Sequence, residues 1–229
     1  MPLSRYACIA LVSAAALLFQ VAQTRLFSSS YGYHLTYLVI SVSLLGVGSG
    51  ATLSGVFDRR SRRPSLSALA LAAAASALAA LFLETHIDPG VALPAAILVA
   101  YVAGALPFVF ASWIVVRSLR EAPSRAGRLY SVDLAGAAAG SLFAFAALPS
   151  LGAPGLYGVS ACLSALAAVV IAGPRLRPVV GVVSAFALTV ALTLNGDAMA
   201  PRTSGRGVVS QFHRPGVRRS TTGRGLHAP

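Results

Sequence analysis

An all-α, multi-pass transmembrane helix bundle of about seven helices is the fold class this sequence predicts, and three observations predict it. The 229 residues are 56% hydrophobic and only 10% charged, whereas a soluble domain carries about a quarter charged residues. So apolar a chain must present its bulk to something other than water. Long apolar stretches recur along it, each close to the run of about 20 residues that crosses a hydrocarbon core about 30 Å thick. Finally, every one of the eighteen cations is an arginine, and arginines cluster in alternate connections between the stretches. That is the positive-inside pattern.

The first stretch, 6–22, follows Arg5 and precedes Arg25. The expectation is that it is not a removable secretory signal, because no good small-x-small cleavage site precedes Gln23 and further spans follow. The second, 34–57, ends in Arg59, Arg60, Arg62 and Arg63. The third, 66–83, is mainly alanine, which favours insertion less than leucine does. The connection after it holds Glu84, His86 and Asp88 and no cation. A fourth span at 91–116 contains Pro107, whose missing N–H predicts a kink. Arg117, Arg120, Arg125 and Arg128 follow it. The fifth, 129–148, and sixth, 155–172, are separated by an uncharged connection at 150–153. Arg175 and Arg177 then lead into a seventh span at 179–194.

Arginine in every second connection predicts a membrane protein with a cytoplasmic N-terminus. Residues 1–195 form the transmembrane domain, and 196–229 form an Arg/Gly-rich tail expected to be disordered. Seven spans place that tail outside the cell despite its six arginines. Two readings stand for it, a segment binding anionic lipid and the product of a frameshift.

Asp133 is the one acidic residue inside an expected span. A buried aspartate costs about 2.5–3.5 kcal/mol at a helix centre and less near an end. Two readings stand here as well. Asp133 is a structural carboxylate paired with Arg117, Arg120 or Arg128, or it binds a solute or a proton. Gly136 and Gly140 follow it as a GxxxG pair, and Gly46, Gly50 and Ser54 form a similar stripe on the second span. Small residues one turn apart let helix backbones approach closely, so these faces predict tight helix packing.

Other chemistry is not legible. Gly46, Gly48 and Gly50 resemble a nucleotide loop only in spacing, because the apolar run continues to Phe57 where a soluble fold would turn. His34, His86, His213 and His227 are scattered, and no nucleophile–histidine–acid set or paired carboxylate is visible. The reading therefore includes no catalytic residue, no metal ligand and no cofactor. Cys8 and Cys162 lie in apolar runs and are expected to pack as small hydrophobes. The net charge of +12 flanks helices and forms no continuous face, so it does not indicate nucleic acid.

Three stretches resemble a known family. They are Phe19-Gln-Val-Ala-Gln-Thr-Arg-Leu26, continuing through Tyr31-Gly-Tyr-His34 to Gly50, then Leu106-Pro-Phe-Val-Phe110, and Gly127-Arg-Leu-Tyr-Ser-Val-Asp-Leu-Ala-Gly-Ala-Ala-Ala-Gly140. Together they look like the membrane region of bacterial spermidine-synthase-like integral membrane proteins, the fused major-facilitator/spermidine synthase type. By that resemblance Gln20, Arg25, Asp133, Gly136 and Gly140 occupy characteristic polar and glycine positions, while Gln23 stands where the family often has tryptophan. The family usually continues into a Rossmann-type aminopropyltransferase domain. The 34 residues after Asn195 fall short of the 100 or so a domain needs, so that activity passes to no residue present.

Asp58-Arg-Arg-Ser-Arg-Arg63 resembles a second motif, the major-facilitator loop between spans two and three. By that resemblance Asp58 and Arg59 help gate a rocking motion; positive-inside anchoring would select the same arginines. The sequence thus predicts a membrane module linked to polyamine metabolism, without a catalytic domain of its own. Its expected partners are the lipid bilayer and either further copies or a separate synthase-like chain. The alternative is a facilitator-like carrier of a small cationic solute using Asp133.

Overall fold

The computed structural model describes residues 3–30, 36–57, 63–86 and 93–173. Five long helices follow one another: α1 (Leu3–Ser30), α2 (Thr36–Phe57), α3 (Leu66–His86), α4 (Leu93–Glu121) and α5 (Ala126–Ala172). A short 3-10 turn, Pro123–Arg125, joins the last two. Each helix is long and apolar enough to cross a membrane. Such sequences form helices because a lipid core offers no water to backbone groups, which must bond within the segment. α3, the alanine-rich one, is a full 21 residues, about 32 Å at 1.5 Å per residue.

The expected count of seven is corrected to five among the described residues. The expected fifth and sixth spans belong to one 47-residue element, and the connection between them contracts to a single non-helical residue, Gly152 (φ 64°, ψ 178°). That backbone region is essentially reserved for glycine. Pro149 and Pro154 bracket the break. Contacts with α1 show that the chain reverses there. Gly136 and Gly140 lie against Ala10 and Ala14, so the first arm of α5 runs parallel to α1. Beyond Gly152, Tyr157 packs on Phe19 and Ser160 bonds the Ala15 carbonyl, so the second arm runs back. The expected seventh span, Asp58, Arg59 and the tail at 196–229 lie outside the described residues.

The glycine stripes do not meet each other. Gly46 lies against Ala105 and Phe108 and Gly50 against Val109, which sets α2 parallel to α4. Ser112 Oγ donates to the Val47 carbonyl at 2.8 Å across that contact. Gly136 and Gly140 seat the first arm of α5 on α1 in the same way. The bundle therefore repeats one three-helix plan with inverted direction, each middle helix seated on the first helix of the other trio. α4 continues through Pro107 as one helix, leaving the Ala103 carbonyl without its usual donor four residues on.

The core has two main clusters, one around Phe19, Leu81, Phe108 and Tyr157 and one around Cys8, Leu69, Trp113 and Ile114. Phe19 meets Tyr157 and Phe108 edge-on, with ring centroids 4.7 and 5.5 Å apart. Cys8 is buried and Cys162 partly so, both as free thiols. Leu44, Leu45, Leu142, Phe143 and Phe145 are exposed, as befits a surface solvated by lipid.

Candidate functional site

α1 carries the polar side chains that organise the interior. Its start and the end of α4 are tied by Arg5 to Glu121 at 2.5 Å, and Arg117 adds a second contact to Glu121 at 2.9 Å. Arg117 also donates to the Pro64 carbonyl just before α3. Arg120 reaches the Ser54 hydroxyl of α2 at 3.3 Å. The start of α1, the start of α3 and the end of α4 thus share one arginine-rich end of the bundle.

Moving along α1 from that end, Ser13 Oγ donates to Asp133 Oδ1 of α5. Asp133 is half-buried. The arginine pairing expected for it is not observed among the described residues, where Arg117 engages Glu121 and Arg120 engages Ser54. The reason is geometric: α1, seated on the first arm of α5, puts a hydroxyl beside the carboxylate. Gln20 Nε2 bonds the Ser43 hydroxyl of α2 at 3.2 Å. Arg25 is helical and exposed, near the end of the bundle opposite the arginine cluster.

The densest polar constellation was not anticipated. Gln23 Nε2 donates to Glu84 Oε1 at 2.9 Å, and Tyr157 Oη donates to Glu84 Oε2 at 2.5 Å. Glu84 is 4% exposed, and Gln23 and Tyr157 are 0% exposed. Three elements converge here: α1, α3 and the second arm of α5. α4 closes the cluster from the fourth side at Gly104, where an added Cβ would collide with Gln23 Nε2 and lie 3.1 Å from Glu84 Oε1. Gln23 Oε1 is buried and has no hydrogen-bond partner among the described residues.

Asp133 and Glu84 therefore touch the same helix at Ser13 and Gln23, ten residues or about 15 Å of helical rise apart. Sequence reasoning missed Glu84 because it ended the third span at Leu83, with the last apolar residue. α3 instead continues to His86. The available signal was the spacing of Glu84 from the buried residues Leu81, Ala80 and Ala77, three, four and seven positions earlier, which is the period of one helix face.

Chemically, these are isolated carboxyl groups held by neutral donors. No group of three or more His, Cys, Asp or Glu side chains that could hold a metal occurs among the described residues. The arrangement suits binding of a proton or a cationic group. No protein-family model, no curated protein and no solved structure matches the chain.

Proposed function

We propose that this chain is a membrane-embedded module of the bacterial inner membrane, of the spermidine-synthase-like kind, with its N-terminus and arginine-rich end in the cytoplasm and a role linked to polyamine metabolism. The observation that carries the orientation is the gathering of Arg5, Arg117 and Arg120 at one end of the bundle in contacts with Glu121, Pro64 and Ser54. Cations at membrane-flanking positions are retained on the cytoplasmic side during insertion. The link to polyamines rests on the resemblance of the stretches around Gln20, Arg25 and Asp133. Cells lacking the chain should show an altered spermidine content that the intact chain restores. Unaltered content would remove the link.

A second reading is favoured by one contact. Asp133 is bonded to a neutral hydroxyl, Ser13, and to no arginine among the described residues, so its charge is open to a cationic solute. In this reading the chain carries a small amine, and Asp133 holds the ammonium group. Vesicles reconstituted with the protein should take up labelled spermidine, and Asp133→Asn should abolish that uptake. No uptake by the wild-type protein would exclude the carrier, and equal uptake by the Asp133→Asn protein would exclude Asp133 as the ammonium site, either result leaving the module reading intact.

A further inference from the structure

The geometry points to Glu84 as a proton-binding site, with the proton as its ligand and Gln23 and Tyr157 as its positioning residues. The inference holds whether or not a solute is carried, and its test uses no transport assay.

Three observations carry it. The first is that Glu84 is buried among neutral partners. Gln23 faces it from α1, the Gly104 backbone from α4 and Tyr157 from the second arm of α5. On its own helix, His86 is exposed and stacked on Phe82 at a centroid distance of 4.2 Å. Arg25, two residues beyond Gln23 on α1, is exposed. Ion pairs to Glu121 lie at the opposite end. Among the described residues no cation is paired with the Glu84 carboxyl group.

The second observation is the lack of room. The α4 backbone comes so close at Gly104 that a single added methyl would collide with Gln23. A proton needs no cavity, whereas an ammonium or metal ion does.

The third is the buried Gln23 Oε1, which has no hydrogen-bond partner among the described residues. An amide offers a donor and an acceptor on one planar frame, and its orientation is set by the bonds available. With Nε2 toward Glu84, the amide serves the carboxylate. Turned over, it presents Oε1 at the same 2.9 Å position and accepts the O–H of the acid. One arrangement of heavy atoms thus serves both forms. The step balances simply: the carboxylate takes a proton from hydronium, giving the acid and water, and release is the reverse.

Glu84 is two residues from the end of α3, and Gly104, the α4 wall of the site, lies three residues before Pro107, where α4 lacks one backbone bond.

Infrared spectra of the protein in lipid vesicles at neutral pH test the assignment. The wild type should show a protonated-carboxyl C=O band that disappears in Glu84→Gln and persists in Asp133→Asn. Tyr157→Phe should keep the band but move it to higher frequency, because a hydrogen bond to the carboxyl is lost. A neutral-pH band that survives Glu84→Gln, or no such band in the wild type, overturns the proposal. Should Glu84→Gln fail to fold, Tyr157→Phe decides: an unmoved band overturns the assignment and a moved one supports it.

Discussion

Replacing Gly140 with alanine tests the helix packing most sharply. The added Cβ would lie 2.7 Å from Ala14 Cα and 2.8 Å from its carbonyl carbon, against the 3.5–4.0 Å at which carbon atoms ordinarily rest. The shortfall is about 1 Å, and the obstructing atoms are backbone, so no side-chain rotation relieves it. α1 must move, yet it is also held by α3 and the second arm of α5 through Gln23 and Ser160. Overpacking of this kind costs about 1–3 kcal/mol. Alanine returns about 0.5–1 kcal/mol through its better helix propensity. The net expectation is a loss of about 1–2 kcal/mol, a factor of about 5–30 in the folded-to-unfolded ratio. Gly48→Ala is the internal control, because nothing lies within 4 Å of its added Cβ. It should be neutral or stabilising by up to about 1 kcal/mol. Reversible unfolding in mixed detergent micelles, followed by helical circular dichroism, reads both. A wild-type midpoint for Gly140→Ala, or an equal loss for Gly48→Ala, would refute the packing argument.

Other substitutions probe different parts of the bundle. Gly152→Ala forces a side chain into φ 64°, ψ 178°, at a cost of about 1–3 kcal/mol; the same unfolding assay should show it, and an unchanged midpoint would contradict the reversal. Gly104→Ala should break the Gln23–Glu84 bond, costing about 1–3 kcal/mol for the buried groups left unpaired. Combined with Gln23→Ala, its effect should fall well below the sum of the two single losses; strict additivity would show that they do not interact. Glu121→Gln removes the contacts to Arg5 and Arg117, but the Glu121 side chain is 29% exposed. After solvent screening the loss should stay below about 1 kcal/mol and shrink with added salt, and a larger or salt-independent loss would mean the pair is buried.

Much of the membrane architecture is legible in the sequence because hydrophobic length and arginine placement are local properties. The second span, the start of the third and the arginines around 117–128 could be placed from composition alone. The other helix ends could not. α1 runs eight residues past the expected end at Ala22, since Thr24 and Ser29 return their hydroxyls to the Gln20 and Leu26 carbonyls. Polar residues bonded to their own helix do not end it. The same extension in α3 converts Glu84 from a loop residue to a buried one. Its partners were illegible for a different reason. Gln23 and Tyr157 are 61 and 73 positions from Glu84 in the chain, and only the antiparallel return of α5 at Gly152 brings Tyr157 within reach. Asp133 was visible as an unusual residue, but its partner Ser13 is 120 positions away, whereas the nearby arginines offered a more obvious pairing.

The reversal at Gly152 is the claim on which the bundle and its polar cluster both depend, and cysteine accessibility in intact cells tests it directly. In a background with Cys8→Ala and Cys162→Ala, Ser124→Cys, Ser150→Cys and Ala172→Cys are each exposed to a membrane-impermeant maleimide. Ser124 lies just before the first arm of α5, Ser150 near the far end of that arm, and Ala172 at the end of the second arm. The account predicts labelling of Ser150→Cys from outside the cell, and of Ser124→Cys and Ala172→Cys only after the membrane is permeabilised. Labelling of Ala172→Cys from the same side as Ser150→Cys would contradict it.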